Sequence, residues 1–182
     1  MNELELVESC KKENNFARKR LYEIYAPLMM GICLRYCGDV MTAQDLLHDG
    51  FIKVFESIHS FVYRGNGSLK GWLSTVFANN CLEYLRKNSV VQGFLSIEDI
   101  TEPVIWPIEE DYIKIPDDVL MNFILELPPG YRTIFNMYTL EEKSHKEIGA
   151  ILGINESSSR SQLARAKNLL VGKINSYVKK HE

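Results

Sequence analysis

Nowhere in the 182 residues does an apolar run approach the roughly 18–20 residues that a membrane span requires. The opening MNELELVESCKKENN is charged and lacks an apolar signal core, so the chain is expected in the cytoplasm and not as a membrane protein itself. Cysteine is sparse: Cys10, Cys33, Cys37 and Cys81 are spread out, as reduced, packed thiols are in that compartment. Cys33 and Cys37 stand four apart with His48 downstream, yet no second close ligand pair of the usual spacing accompanies them, so no metal is expected. No phosphate-cradling glycine loop and no nucleophile–base constellation occurs, which argues against an enzyme and against a cofactor. Internal repeats and low-complexity segments are absent as well.

What is present is an ordinary globular composition, with 46% hydrophobic and 25% charged residues. The net charge of −3 hides a segregation. Lys and Arg counted against Asp and Glu give about +1 for residues 1–87, about −7 for 88–118 and about +3 for 119–182. At this length the chain holds one ordinary domain or two small ones. The periodicity below and the charge pattern favour two: residues 1–87 and 116–182, joined by an acidic linker at 88–115.

Both ends of that division read as helix. Leu21, Ile24, Tyr25, Leu28 and Ile32 recur at three- and four-residue spacing, with a kink or boundary expected at Pro27 and a stop at Gly38-Asp39. A second helix is predicted over 42–60, burying Leu46, Leu47, Phe51, Val54, Phe55 and Ile58. After the loop at 62–67, Ser68 is a candidate N-cap for a third helix reaching Lys87. The linker loses periodicity and carries Pro103, Pro107 and Glu109-Glu110-Asp111. It also carries Phe94, Leu95, Ile97, Val104, Ile105 and Trp106, too many large apolar groups for a free tether. Helices are predicted again over 117–127 and 131–140. Ser144-His145-Lys146-Glu147 matches a capping box and opens a helix ended by Gly153, and Asn155 can cap a final helix from Glu156 to about Lys180.

A helix of about eight residues, a three-residue turn containing glycine and a second helix is the spacing of a helix-turn-helix. Gly149 and Ala150 allow close approach, and Ile148, Leu152 and Ile154 hold the angle. At 100° per residue, Ser159, Leu163, Ala166 and Leu170 fall on one side of the last helix. Ser157, Arg160, Ser161, Ala164 and Asn168 fall on the other, with Arg165 at the edge. Short side chains flanked by arginines suit a major groove, where Arg pairs with guanine or reaches phosphate. From Ser157 to His181 there are six basic residues and no acidic one, a field that favours a polyanion.

Further motifs appear in order: Asp45-Leu46-Leu47-His48-Asp49-Gly50-Phe51, then Phe61 and Gly65, Trp72-Leu73, Tyr84-Leu85-Arg86-Lys87, Leu127-Pro128-Pro129-Gly130-Tyr131-Arg132 and Lys146-Glu147-Ile148-Gly149. Together these closely resemble bacterial RNA polymerase sigma factors, specifically the small extracytoplasmic-function group, over about residues 15–87 and 116–172. The resemblance implies an all-α protein of two small helical domains that binds core RNA polymerase and directs promoter-specific initiation. It further implies contacts with the clamp helices of the largest polymerase subunit and the flap of the second largest, and an anti-sigma factor as regulatory partner.

Carried over by position, the resemblance assigns polymerase docking to Asp45, Leu46, Asp49, Phe51 and Val54. The two carboxylates are alternatively just solvated, and Leu46, Leu47, Phe51 and Phe55 are alternatively core, wholly or in part. It assigns melting and capture of the −10 element to Tyr63, Arg64 and Asn66 in the loop and to Trp72, Thr75, Asn79, Arg86 and Lys87 on the following helix. Trp72 reads equally as a stacking ring or as core, while Asn79 among apolar neighbours calls for a partner. It assigns −35 recognition to Lys146, Ser157, Ser158, Arg160, Ser161, Ala164, Arg165 and Lys167. Departures from the common pattern are Thr75 and Ala78 in place of basic residues, Ser158-Ser159 in place of Thr-Val and Gln162 in place of Arg. Ser159 is expected to bond back to the preceding turn. The linker reads either as a mimic of a charged strand inside polymerase channels or as a solvated tether. A stand-alone helix-turn-helix regulator is the alternative function.

Overall fold

The computed structural model describes residues 1–88 and 115–181, and all regular structure within them is helical. The linker reading falls on residues 89–114, which lie outside the described residues. The chain divides into two compact units, Met1–Tyr84 and Leu85–Glu182, the division falling in the last turn of the fourth helix.

The first unit begins with a helix that the charged opening conceals. α1 (Glu3–Lys11) starts at a capping box in which Asn2 accepts from the Glu5 N–H and the Glu5 carboxylate accepts from the Asn2 N–H. It buries Leu6, Val7 and Cys10. α2 (Asn15–Cys37), capped by Asn14, runs unbroken through Pro27, so no boundary falls there. Pro27 and Glu23, whose carbonyl loses its N–H donor to the proline, are both exposed residues. Of the predicted stripe of α2, Leu21 and Ile32 are buried, together with Ala17, Met29, Cys33 and Tyr36, whereas Ile24 and Leu28 are exposed. The period was right, and the buried face overlaps the predicted one only in part.

Gly38, left-handed at φ 85°, ends α2, and Asp39 caps α3 (Val40–Ser57) by accepting from the Thr42 N–H at 2.8 Å. A single 3₁₀ turn, Ile58–Ser60, comes next. α4 (Ser68–Lys87) then crosses α3 so closely that a Cβ on Gly50 would stand 2.3 Å from the Phe77 ring. The core between them is aromatic: Phe51 lies 4.6 Å from Tyr22 and 5.1 Å from Phe77, ring centre to ring centre.

In the second unit α5 (Asp117–Leu125) leads through Leu127 to α6 (Pro129–Phe135), with Pro129 at its first position. The buried Arg132 guanidinium donates to the carbonyls of Leu125 (2.6 Å) and Leu127 (3.2 Å), and so satisfies the end of α5. Where one helix over 131–140 is predicted, α6 passes into a wider π turn, Asn136–Leu140. α7 (His145–Leu152) opens on the Ser144–Glu147 capping box and closes on left-handed Gly153 at φ 70°, as predicted. α8 (Glu156–His181) is the long last helix. Leu127, Ala166 and Leu170 form a buried cluster with Phe123, Ile124, Tyr131 and Phe135 against it.

Candidate nucleic-acid interface

The α7–turn–α8 unit is built by backbone geometry first. A Cβ on Gly149 would meet the Ile154 carbonyl at 2.7 Å, so the turn closes only over a bare α-carbon. Ala150, by contrast, is exposed and takes no part in the approach. Asn155 receives the Ser158 N–H at 2.6 Å and starts α8. Ser157, its hydroxyl on Asn155 Oδ1 at 2.8 Å, is exposed, as are Arg160, Lys167 and, on α7, Lys146. Ser158, Ser161, Ala164 and Arg165 are half-buried and lie along the same outer side.

Two features of this face were not read from the sequence. Glu156 forms a close ion pair with Arg160 one turn along, which holds that guanidinium beside the helix; the i,i+4 spacing was the available signal. The Lys167 ammonium lies 5.6 Å from the centre of the Tyr138 ring, a cation–π contact with the preceding π turn.

Two of the departures lie on the inner side, and Ser159 bonds otherwise than expected. Ser159 is fully buried, and its hydroxyl shares a 2.9 Å hydrogen bond with His145 Nδ1 instead of returning to its own helix. Gln162 is also buried, so this position faces the unit's interior and not a groove. Burial, then the positive charges of Arg160 and Lys167, hold the His145 imidazolium below its ordinary pKa, opposed by Glu156.

On α4, Thr75, Asn79, Arg86 and Lys87 are exposed, and Trp72 is half-buried, its ring centre 5.1 Å from that of Phe61. Trp72 therefore serves both readings, one part of the ring against core and the rest at the surface. Of the two positions where basic residues were expected, only Thr75 lies at the surface; Ala78 is buried. The asparagine that needs a partner is Asn80, buried and donating to the Leu46 carbonyl at 3.1 Å, while Asn79 stands in solvent. Glu83 would oppose a polyanion beside this strip, but Lys53 pairs with it at 2.8 Å.

The loop before α4 presents Arg64 and Asn66 to solvent and half-buries Tyr63, whose hydroxyl donates to Asn66 Oδ1 at 2.8 Å. Ser68 is not the helix cap. Its hydroxyl accepts from the Arg64 N–H at 3.2 Å, while the N–H groups of Gly67 and Leu69 donate to the Glu3 carboxylate at 2.9 and 3.1 Å. The cap is supplied from α1, far away in sequence.

On α3, Asp45 and Asp49 are exposed, but Leu46, Phe51 and Val54 are buried within their own unit. These three are core residues and cannot present side chains to a partner, which corrects their assignment to docking. The large apolar groups that α3 exposes are Val40 at its first position, Met41 and Ile52, the last two at 79% and 56%. At helical spacing Met41 and Ile52, with Asp45 and Asp49 between them, share one outer face with the carboxylates, and Val40 lies off it.

Among the described residues no cluster able to hold a metal ion occurs, and no helix is long and apolar enough to cross a membrane. The three thiols of Cys33, Cys37 and Cys81 do meet: Cys81 hydrogen-bonds with both of the others.

Comparison with known proteins agrees with this two-part layout. Residues 21–90 match the family Sigma-70 region 2, and residues 117–170 match Sigma-70, region 4, together about two thirds of the chain. The ECF RNA polymerase sigma factor SigM of Bacillus subtilis is 28% identical over 82% of this chain and 90% of its own. SigW of the same organism, also an ECF RNA polymerase sigma factor, is 25% identical over 90% of this chain and 92% of its own. The solved sigma factor RpoE of Bartonella quintana, in complex with the anti-sigma factor NepR, shares the fold with a TM-score of 0.50. It is 19% identical, over 86% of this chain and 96% of that one.

Proposed function

The chain belongs to the extracytoplasmic-function group of bacterial RNA polymerase sigma factors, and we propose how its surfaces divide the work of directing polymerase to promoters. The observation that carries the reading is the pairing, in one chain, of a capped helix-turn-helix with a separate unit bearing an aromatic–polar strip beside a glycine-rich loop.

The −35 duplex is read by α8. Arg160 and Arg165 pair with base edges or phosphate, and Ser157, Ser158, Ser161 and Ala164 allow close approach. Lys146 and Lys167 contact phosphates. The −10 element is opened and held by the first unit. Trp72 offers a stacking surface, Tyr63, Arg64, Asn66, Thr75 and Asn79 supply hydrogen bonds, and Arg86 and Lys87 meet the backbone.

Core polymerase is met by the outer face of α3, where Asp45 and Asp49 face a basic partner and Met41 and Ile52 bury against it. The partner surface is the clamp helices of the largest subunit, and the second unit reaches the flap of the second largest. An anti-sigma factor restrains the protein in the cytoplasm, as NepR is bound by RpoE. The chemistry of initiation belongs to the polymerase, with no catalysis by this chain.

A stand-alone regulator would have no use for a polymerase-facing helix, and it would bind operator DNA tightly without core enzyme. Run-off transcription from a genomic library with purified core polymerase decides between them. The expected result is new start sites that require this protein, lost in Arg160→Ala/Arg165→Ala and in Asp45→Arg/Asp49→Arg. A gel shift that needs no core enzyme, together with no gain in initiation, overturns the reading.

A further inference from the structure

We infer that Glu3 is a positioning residue for strand capture: it sets the shape of the loop at 61–67 by holding the start of α4. The inference rests on the reading above that this loop and α4 bind the −10 strand.

The loop has little of its own to hold it. Gly65 and Gly67 lie at φ +110° and +87°, left-handed conformations that glycine enters freely and leaves as freely. Within the loop the Tyr63 hydroxyl donates to Asn66 Oδ1 at 2.8 Å, the Ser68 N–H donates to the Gly65 carbonyl at 3.1 Å, and the Arg64 N–H reaches the Ser68 hydroxyl at 3.2 Å; none of these ties the loop to an element beyond the start of α4. The first N–H groups of a helix have no partner inside it. Here two amides at that end, those of Gly67 and Leu69, are taken by the two oxygens of one carboxylate, Oε2 at 2.9 Å and Oε1 at 3.1 Å. A carboxylate is the strongest neutral-pH partner for such amides, since it adds charge to the hydrogen bond and sits at the positive end of the helix dipole.

Glu3 is itself fixed. It is the first residue of α1, whose start is closed by the Asn2–Glu5 capping box and whose Leu6, Val7 and Cys10 are locked into the core. The bond therefore spans the chain between a rigid helix and a glycine hinge. Fixing the Gly67 amide fixes the direction in which the chain enters α4. That direction decides where Tyr63, Arg64 and Asn66 stand relative to Trp72, Thr75 and Asn79. The carboxylate also occupies a helix start whose amides would otherwise be open to a phosphate.

The test uses full-length protein assembled with core polymerase. The probe is a promoter selected by the wild-type holoenzyme from random-sequence DNA, supplied as duplex, with a mismatched −10 bubble, and as the fluorescent single −10 strand. Glu3→Ala should weaken single-strand binding by about tenfold, as expected for loss of two charge-assisted hydrogen bonds. Opening of duplex should slow to match, and the bubble template should recover only part of the loss, because the strand must still be held. Glu3→Gln, which keeps one acceptor oxygen and the side-chain volume, should fall between. Core affinity should stay at the wild-type value for both.

Single-strand binding by Glu3→Ala and Glu3→Gln equal to wild type overturns the inference. So does a loss in both that tracks core affinity, for Glu3 then supports only the fold. A wild-type holoenzyme that selects no promoter and binds no single strand overturns the strand-capture reading itself, a result seen without either variant.

Discussion

His145 Nδ1 and the Ser159 hydroxyl lie 2.9 Å apart, joining the first residue of α7 to the buried side of α8 across the turn between them. The imidazole is also stacked on Tyr138, 4.5 Å between centres, so three elements meet at one ring. Burial first, then Arg160 and Lys167, lower its pKa, with Glu156 acting in the opposite sense. A base whose pKa is lowered by folding takes up its proton more readily when unfolded. The stability it protects is therefore complete above the ordinary histidine value and falls as pH drops through that value toward the folded one. Urea denaturation of the whole chain between about pH 7.5 and 5.5 should show stability declining on acidification. His145→Gln should reduce that slope, and equal slopes in both proteins would refute the argument.

Gly149 and Gly172 should respond to alanine in opposite ways. At Gly149 the new Cβ meets the Ile154 carbonyl at 2.7 Å, and backbone must shift, at a cost of about 1–3 kcal/mol. At Gly172, on the exposed side of α8, nothing lies within 4 Å, and helix propensity favours alanine by about 1 kcal/mol. Thermal melting of the two variants gives the signs. A Gly149→Ala protein as stable as wild type would show that the turn is looser than its geometry.

Arg160 is ion-paired with Glu156, so on the proposed −35 reading the carboxylate and DNA compete for one guanidinium. Glu156→Gln should raise affinity for non-specific duplex several-fold and steepen the salt dependence by up to about one unit of slope. Arg160→Ala should flatten it by about as much. If Glu156→Gln leaves the salt dependence at its wild-type slope, Arg160 does not reach phosphate.

Thiol reactivity should be graded. Hydrogen bonding to Cys33 and Cys37, then burial, pushes the Cys81 thiol well above the ordinary range, so its thiolate is scarce at neutral pH. Cys10 is raised as well, by burial, with Arg18 opposing. Timed alkylation with iodoacetamide, read by mass spectrometry, should label half-buried Cys37 first and Cys81 only on unfolding. Early labelling of Cys81 in folded protein would contradict the packing described.

Where the sequence was legible, the cause was local. Ser144 and Glu147 close their own box, Gly38 and Gly153 take left-handed turns, and Asn155 caps the helix that begins beside it; Asp39, read only as part of a stop, caps α3 in the same local way. Each needs partners within four residues, and spacing alone reveals them. The first unit was harder. α1 was hidden because its charged text shows only Leu6, Val7 and Cys10 to the core, and Pro27 misled because an exposed proline need not break a helix. An amphipathic pattern marks a buried stripe without saying whose: Leu46 and Phe51, for which core was the open alternative, and Val54 all went to the unit's own core, leaving Met41 and Ile52 outside.

By itself, then, the sequence determined the helical class, the helix-turn-helix and its outward arginines, and the motifs that place the chain among sigma factors. These rest on 3.6-residue periodicity, caps and composition, all short-range properties of the text. Only the tertiary structure decided which groups meet across distance: Glu3 with the start of α4, Asn80 with Leu46, Cys81 with Cys33 and Cys37, His145 with Ser159. A buried polar group must find a partner, but which partner depends on helix crossings set by packing at contacts such as Gly50 on Phe77. No window along the chain contains both sides of such a contact.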